Sequence, residues 1–186
     1  TPDRTNKVAT TALFLENRTY LAKPLSLVTG LRHDRIKLEG INHLAASATN
    51  PAYFSNTYTP TTGRIGLVYD ITPTASAYVQ YSTAADPPAG ILTTASFAQV
   101  RDFDLTKGRQ FEIGSKFDYL DGRGSATVAA YKITRKNLAI ADQNNPGTTI
   151  PVGQQSSSGV EIATSVKMMP NFLVSANLAY TDAQYD

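Results

Sequence analysis

Five residues in polar stretches of the chain could bind a ligand. Tyr53, Phe54 and Tyr58 bring three aromatic rings into one short segment, and Phe97 with Arg101 adds a further ring and a cation. Flat rings stack on aryl groups, and a cation attracts an anionic chelate. The pattern therefore predicts that these five residues bind a ligand. Alternatively, these residues only order the loop tips by packing against one another.

Residue types suited to catalysis or metal binding are sparse. The chain has no cysteine and two histidines, which excludes disulfide frameworks, cysteine zinc sites and thiol nucleophiles. His33 and His43 have neither the spacing of metal ligands nor a carboxylate array. The serines at 156–158 have no elbow glycines and no nearby base. We therefore expect no catalytic site, no metal site and no cofactor, and a protein that is not an enzyme.

The elements that position these residues are long strands, and the pattern is clearest at 108–137. From Gln110 to Tyr119 apolar and polar residues alternate, which is the period of a β-strand with one apolar face. Asp121-Gly122 follows, and a second alternating run at 125–135 completes a predicted β-hairpin. Each run has about the ten residues that a tilted strand needs to cross a bilayer core.

The same pattern recurs along the chain. Further strands are predicted at 8–16, 25–38, 63–71, 75–84, 154–168 and 172–181. Short turns alternate with long polar loops at 39–62, 85–107 and 138–153. This rhythm predicts an all-β fold, an antiparallel up-and-down transmembrane β-barrel segment of about eight long strands, with short turns at one end and long loops at the other.

The distribution of charge agrees with a barrel that has a polar interior. The formal net charge of +2 comes from 17 basic and 15 acidic residues that are interspersed, so no nucleic-acid partner is expected. Mean hydropathy is −0.22, and no apolar run is long enough for a membrane helix. Charges predicted to face the interior, where they could line a path or pair across strands, are Arg32, Asp34, Arg64, Asp70, Glu112, Lys116 and Glu161. Side chains predicted to face lipid are Phe111, Phe117, Tyr119 and Tyr131. Lys132 lies opposite Tyr131 in the alternation and is therefore also predicted to face the interior.

The hairpin and its surroundings resemble the barrel of TonB-dependent siderophore receptors. The positions that match the family's motifs are Glu112, Gly114, Lys116, Asp121, Gly122, Arg123, Tyr131, Ile133, Arg135, Asn137, Ser157, Gly159, Val160 and Glu161. Two positions depart from the family pattern. Gly124 stands where a large apolar residue usually follows the turn, and His33 stands where tyrosine is frequent. Both departures concern packing or the interfacial girdle.

The resemblance implies an active transporter in the bacterial outer membrane. Such a receptor takes up a ferric siderophore with energy from the TonB complex, and its barrel is embedded in outer-membrane lipid and filled by an N-terminal plug. No plug and no TonB-binding segment is visible in this sequence. Residues 1–186 are therefore expected to be a partial β-barrel domain from the middle-to-late barrel, without the closing C-terminal strands, and TonB would be bound through the absent N-terminal region.

Three alternatives remain open from the sequence. The chain could be an autonomous small outer-membrane barrel, such as an adhesin or a hydrolase. It could belong to a receptor for another ligand, such as cobalamin or a carbohydrate. It could also be a soluble β-sandwich or a lipid-carrying periplasmic protein, in which case Leu67, Phe117 and Leu178 would pack against a second sheet.

Overall fold

The part of the chain that the structure describes consists of nine strands and one short helix. A computed structural model describes residues 3–87, 96–141, 145 and 149–185. The predicted loop positions Pro88, Gly90, Asn144, Pro146 and Gly147 lie outside the described residues. The elements are β1 (Arg4–Ala22), β2 (Leu25–Asn42), β3 (Tyr53–Tyr58), β4 (Thr61–Thr72), β5 (Ala75–Asp86), α1 (Phe97–Asp102), β6 (Thr106–Tyr119), β7 (Gly124–Ala141), β8 (Thr149–Met169) and β9 (Phe172–Tyr185). Within these described ranges, no helix combines the length and the apolar character needed to cross a bilayer.

The strands form one antiparallel sheet with eight positions. Its order is β1-β2-β4-β5-β6-β7-β8-β9, and β3 also pairs with β2. β3 lies against residues 36–41 of β2, and β4 lies against residues 25–33. Between them the Asp34 N–H donates to the Pro60 carbonyl oxygen at 3.0 Å. β3 and β4 therefore continue one another along β2, so the predicted fold class and its eight strand positions are confirmed, with β3 as an additional strand.

The strands extend further than predicted at the end of the sheet that carries the long connections. β3 lies inside the predicted loop 39–62, α1 lies inside the predicted loop 85–107, and β7 and β8 extend into the predicted loop 138–153. Those parts of the loop prediction are wrong. Their sequences show no clear alternation, but each strand pairs its backbone N–H and C=O groups with a neighbour, and this pairing overrides weak propensity.

The register determines which residues share a face of the sheet. Directly paired residues of antiparallel strands point to the same side, so Glu16, Gly30, Arg64, Ser82 and Gln110 lie in one row across five strands. This side is polar, and we call it the inner face because the polar face of a transmembrane barrel lines its lumen. The apolar side is the outer face. Seven of the eight charges predicted to face the interior lie on the inner face.

Tyr131 lies on the inner face, and its predicted place on the lipid-facing side is wrong. Tyr119 pairs with Gly124 across the hairpin turn, so odd-numbered residues of β6 lie beside even-numbered residues of β7. Tyr131 therefore pairs with Glu112. Within one strand, alternation correctly separates odd-numbered from even-numbered residues. Across this turn, however, the outer face changes from the odd-numbered residues of β6 to the even-numbered residues of β7. Lys132 pairs with Phe111 and lies on the outer face, so its predicted interior position is wrong as well, whereas the predicted outward positions in β6 are confirmed.

The outer face presents a broad apolar surface. Leu67, Phe117 and Leu178 lie on it and are 40%, 38% and 70% exposed. Soluble monomeric proteins rarely expose a continuous apolar surface of this kind, whereas a transmembrane barrel presents one to lipid. All described strands belong to a single sheet, so no second sheet formed by them covers these residues. A β-sandwich formed by the described strands is therefore excluded.

Candidate functional site

A small apolar core lies on the inner face at the end that carries the long connections, which we call the mouth of the sheet. Phe97 and Val100 of α1 pack there with Ile36, Leu38 and Phe54. Phe97 is 1% exposed, and its ring stacks on that of Phe54 with the centroids 5.5 Å apart. The helix is thus folded inward over β2 and β3.

Local sequence explains why α1 forms and where it docks. The Ser96 hydroxyl accepts a hydrogen bond from the Gln99 N–H at 3.2 Å, and the Gln99 side chain accepts one from the Ser96 N–H at 2.9 Å. This reciprocal capping box satisfies the first turn, but a helix of six residues is too short to be stable by itself. Gly40 provides the room for docking, because a Cβ there would lie 2.6 Å from the Phe97 ring.

Asn50 joins three segments of the chain at the mouth. Its side-chain oxygen accepts hydrogen bonds from Arg4 Nη2 at 2.7 Å and from the Phe97 N–H at 3.2 Å. Its carbonyl oxygen accepts one from the Asn42 side-chain amide at 3.1 Å. The Arg4 guanidinium also lies 4.7 Å from the centroid of the Phe97 ring, within the range of a cation–π interaction. β1, β2 and α1 are therefore tied together around Asn50, which lies in the connection at 43–52.

The structure separates the residues predicted to bind a ligand. Phe54 and Phe97 are buried against each other, which gives them a packing role. Tyr53 points to the opposite face from its neighbour Phe54, because successive side chains of a strand alternate. Arg101 is exposed in the last turn of α1. Ligand binding by these residues stays a prediction, and the structure does not gather all of them at one point.

Tyr58 is the predicted residue that borders open space at the mouth. It is half-buried beside the apolar core, and its hydroxyl donates to the Phe103 carbonyl oxygen at 3.1 Å. Burial raises the pKa of the Tyr58 phenol above its ordinary value. A hollow of about 590 Å³ adjoins it, with Asp104 and Lys107 also at its border. This volume lies within the range of small-molecule sites.

Glu39 holds a charged cluster on the outer side of the mouth, where β2 pairs with β3. Lys37 Nζ lies 2.9 Å from the Glu39 carboxylate, and the Tyr53 hydroxyl donates to the same group at 2.8 Å. These two hydrogen bonds, that of Lys37 being the stronger influence, hold the pKa of the Glu39 carboxyl below its ordinary value. The cluster thus fastens β3 to β2 while the carboxylate is ionised.

Paired charges line the inner face below the mouth. Arg64 on β4 reaches Glu16 on β1 across the intervening strand β2. Arg32 holds the carboxylate of Asp34 through three hydrogen bonds of 2.7–3.0 Å. Some of the predicted interior charges therefore neutralise one another or a neighbouring charge, as the sequence allowed.

A second polar group surrounds Glu112 deeper in the sheet. The Tyr78 hydroxyl and the Gln110 amide each donate to the Glu112 carboxylate at 2.6 Å. The ring of Tyr78 lies over Gly114, where an added Cβ would be 2.6 Å from the Tyr78 hydroxyl oxygen. Lys116 Nζ lies 5.7 Å from the centroid of the same ring. Tyr78, Glu112 and Lys116 border a hollow of about 520 Å³, which also contacts Glu16 and Arg64.

The described residues contain no cluster of histidine and carboxylate side chains that could hold a metal ion. His33 and His43 instead have threonine hydroxyl partners at 2.9 Å. The inner face is a polar wall, and the mouth has an anchored helix beside open space. Both arrangements suit the passage or docking of a polar solute.

Comparison with known protein families identifies one model over the whole chain. The family of TonB dependent receptor-like β-barrels matches residues 1–186. Among curated proteins, the metal-pseudopaline receptor CntO of Pseudomonas aeruginosa is 29% identical over 178 residues, which is 93% of this chain and 24% of that protein. The ferrichrome outer membrane transporter/phage receptor of Escherichia coli is 25% identical over 182 residues, which is 97% of this chain and 23% of that protein. The chain thus spans about a quarter of the length of these relatives.

Solved structures give the same fold. The closed form of the ferric-catecholate import receptor Fiu from Escherichia coli K12 is similar with a TM-score of 0.78 at 20% identity, over 97% of this chain and 28% of that one. The ferripyoverdine receptor of Pseudomonas aeruginosa is similar with a TM-score of 0.74 at 22% identity, over 97% of this chain and 23% of that one. At these identities the similarity establishes the fold alone.

Proposed function

The chain belongs to the family of TonB-dependent receptor-like β-barrels, and from this we propose that it is part of an outer-membrane active transporter that takes up a ferric siderophore with TonB-derived energy. The family's barrels lie in the bacterial outer membrane. The observation that carries the proposal is the match of the family model to all 186 residues. The apolar outer face and the polar inner face of the sheet support it, because a transmembrane barrel requires both. Members of the family are receptors and transporters, and we propose no catalytic role for the chain.

We further propose that residues 1–186 are a partial β-barrel domain of a larger receptor. Its relatives are about four times as long, and β1 and β9 are the two edges of the sheet. Unpaired backbone groups in lipid cost several kcal/mol each, so these edges must pair with further strands when the barrel is in the membrane. The plug and the region that binds the TonB complex would then be supplied by other parts of the full-length protein.

The mouth is where we place ligand binding. Tyr58 borders the hollow there, while Tyr53 on β3 and Arg101 on α1 are exposed. Phe54 and Phe97 would support the site by holding α1 in place, since both are buried in the core at the mouth. An aromatic hydroxyl and a cation suit an anionic iron chelate.

Uptake of radioactive iron by cells tests the proposal. The gene for the full-length receptor is deleted in its host, and ferric siderophores of the catecholate and hydroxamate classes are supplied one at a time under iron limitation. We expect uptake of one class to be lost in the deletion strain and in a strain without TonB, and to return with the intact gene. Unchanged uptake of every siderophore in both strains would contradict the proposal.

A second candidate follows from the similarity to the metal-pseudopaline receptor. The transported solute could be a metal bound to a chelator other than a ferric siderophore. The same strains, supplied with radioactive zinc together with culture supernatant that contains the host's own chelators, distinguish the two. Loss of zinc uptake with normal iron uptake would favour this candidate, and the reverse would exclude it.

A further inference from the structure

β4 and β5 part from each other towards the mouth, and we call the opening between them the fork. Their direct pairing runs from the short turn up to Arg64 and Ser82, and within the described residues it stops there. Both strands extend past this point, since β4 begins at Thr61 and β5 ends at Asp86. The fork is therefore a place where two neighbouring strands of one sheet continue without pairing with each other.

Each arm of the fork is held as a strand by its other neighbour. Residues 61–63 of β4 pair with residues 31–33 of β2, and residues 83–86 of β5 pair with residues 106–109 of β6. Both arms thus keep the extended backbone that pairing requires. The edges that face the fork have no strand partner in the part of the chain that the structure describes.

On the β4 arm, the backbone groups of Thr61 and Gly63 point into the fork. The Asp70 N–H donates to the Pro24 carbonyl oxygen at 2.7 Å, on the side of β2. Successive residues of a strand turn their backbone groups to opposite neighbours. Even-numbered residues of β4 therefore turn theirs to β2, and odd-numbered residues turn theirs to β5.

On the β5 arm, the backbone groups of Thr83 and Ala85 point into the fork from the other side. The Thr74 carbonyl oxygen accepts a hydrogen bond from the Asp118 N–H at 2.8 Å, on the side of β6. Odd-numbered residues of β5 therefore turn their backbone groups to β4. The two arms thus face each other with complementary donors and acceptors.

The register of the paired part of β4 and β5 continues into the fork, where residues 61–63 are in step with residues 83–85. At the base, the Thr83 hydroxyl accepts a hydrogen bond from the Gly63 N–H at 2.9 Å and donates one to the Gly63 carbonyl oxygen at 3.3 Å. In a continued ladder these two groups of Gly63 would bond to the backbone of Thr83 instead. Hydrogen bonds that replace one another contribute little net free energy, so the open and the paired arrangement are close in stability.

The hollow beside Tyr58 lies in the fork. Its border includes Thr61 and Thr62 from one arm, and Thr83, Ala84 and Ala85 from the other. Paired neighbouring strands are about 4.8 Å apart, which leaves no such space between them. Pairing of the two arms would therefore remove the part of the hollow that lies between them.

We propose that the fork is a two-state element, open as in the structure or closed by pairing of residues 61–63 with residues 83–85, and that closure and solute binding beside Tyr58 exclude each other. A solute in the hollow binds only the open state, so it shifts the fork towards that state. The fork thereby regulates the binding site at the mouth. This coupling rests on the proposed function, whereas opening and closing are properties of the sheet itself.

Disulfide formation between introduced cysteines tests closure in the full-length receptor. Residues 1–186 contain no cysteine, and any cysteine elsewhere in the receptor is replaced by serine. T62C/A84C places two thiols on a pair that is not hydrogen-bonded in the closed fork. The Cα atoms of such a pair are about 4.5 Å apart, a separation that a disulfide spans. D70C/S76C is the same kind of pair in the part of β4 and β5 that is already paired.

We expect T62C/A84C to cross-link about 10- to 1,000-fold more slowly than D70C/S76C under copper phenanthroline, which corresponds to a closed state populated at about 10% to 0.1%. T62C/D86C is the matched control, because its residues would be diagonal in the closed fork, about 7–8 Å apart, and should cross-link more slowly still. The exposed ion pair with Arg135 that D86C removes contributes little. Equal rates for T62C/A84C and T62C/D86C would overturn the proposal, since loose arms meet without regard to register. A rate equal to that of D70C/S76C would also overturn it, because the fork would then be permanently closed.

Uptake of radioactive iron by cells tests the coupling to solute binding. A ferric catecholate and a ferric hydroxamate are supplied separately to cells that carry oxidised T62C/A84C. We expect uptake to fall in proportion to the cross-linked fraction and to return after reduction with dithiothreitol, while oxidised D70C/S76C retains uptake. Undiminished uptake through the cross-linked receptor would overturn the coupling. If the unsubstituted receptor takes up neither chelate, the proposed function fails, and the cross-linking rates still decide whether the fork closes.

Discussion

Replacing Phe97 by alanine should release α1 from the mouth. Phe97 is 1% exposed and is one of the two phenylalanines of the apolar core there, the other being Phe54. Loss of a buried phenylalanine costs about 3–5 kcal/mol, and the six-residue helix has little stability of its own. The cost should therefore appear as local opening of α1, while the strands of the sheet keep their pairing. At about 1.4 kcal/mol per tenfold change, the open population rises roughly 100- to 4,000-fold.

Hydrogen exchange followed by mass spectrometry of the full-length receptor in detergent measures this opening. The amides of residues 96–102 should exchange faster in proportion to the rise in the open population. The increase cannot exceed the protection that these amides have in the unsubstituted protein. F97L keeps an apolar side chain and should lose far less protection. F111A removes a ring of the outer face that is 52% exposed, and it should leave exchange in α1 unchanged.

Gly40→Ala tests the same contact from the opposite side. The new methyl group would lie 2.6 Å from the Phe97 ring, so the ring must move although the helix sequence is intact. We expect faster exchange in α1 again. Unchanged exchange in both F97A and G40A would refute the reasoning, and it would mean that hydrogen bonds such as those to Asn50 hold α1 without the apolar contacts.

Three further predictions concern the sheet. Gly114→Val should impair barrel folding because its side chain would collide with the Tyr78 ring, whereas Gly153→Val meets open space and should be tolerated; heat-modifiable migration reports both. Leu178→Arg on the outer face should lower the free energy of unfolding from lipid vesicles by about 2–4 kcal/mol, whereas Asn177→Arg, the adjacent position on the inner face, should cost much less. Since the pKa of Glu39 is depressed in the folded state, its contribution to stability is present above the ordinary carboxyl pKa and is lost as pH falls through the folded value. Amides of β3 should then open at acid pH, and E39Q should abolish that pH dependence once intrinsic exchange rates are corrected.

The hairpin of β6 and β7 shows what the sequence could predict. Alternation located both strands, and Asp121-Gly122 located the turn, where both residues have positive φ angles of 53° and 80°. The predicted face of Tyr131 was wrong, even though the sequence contained the information needed to assign it. A turn centred on Asp121-Gly122 pairs odd-numbered residues with even-numbered ones for any symmetric loop length. Counting across the turn decides the face, whereas the apolar character of a single side chain does not.

The mouth was less accessible to sequence reasoning. Ser96 and Gln99 have the spacing of a capping box, which was the one local signal for α1. Its docking site is formed by Gly40 and Phe54, which lie far away in the chain and meet α1 only after the sheet has formed. From the sequence, the five residues predicted to bind a ligand could equally serve packing. Only the degree of burial of each side chain in the structure distinguishes these two roles.

Charge shows most clearly why register adds information that composition lacks. The 17 basic and 15 acidic residues are interspersed along the chain and give a net charge of only +2, and this balance indicates no binding surface. Pairing of β6 with β7 nevertheless sets Lys107 directly beside Lys136. Nearby acidic residues do not cancel this charge when they point to the other face, as Asp86 does when it binds Arg135. Neutrality along the sequence therefore does not imply neutrality on either face of a sheet, because each face receives only every second residue of each strand.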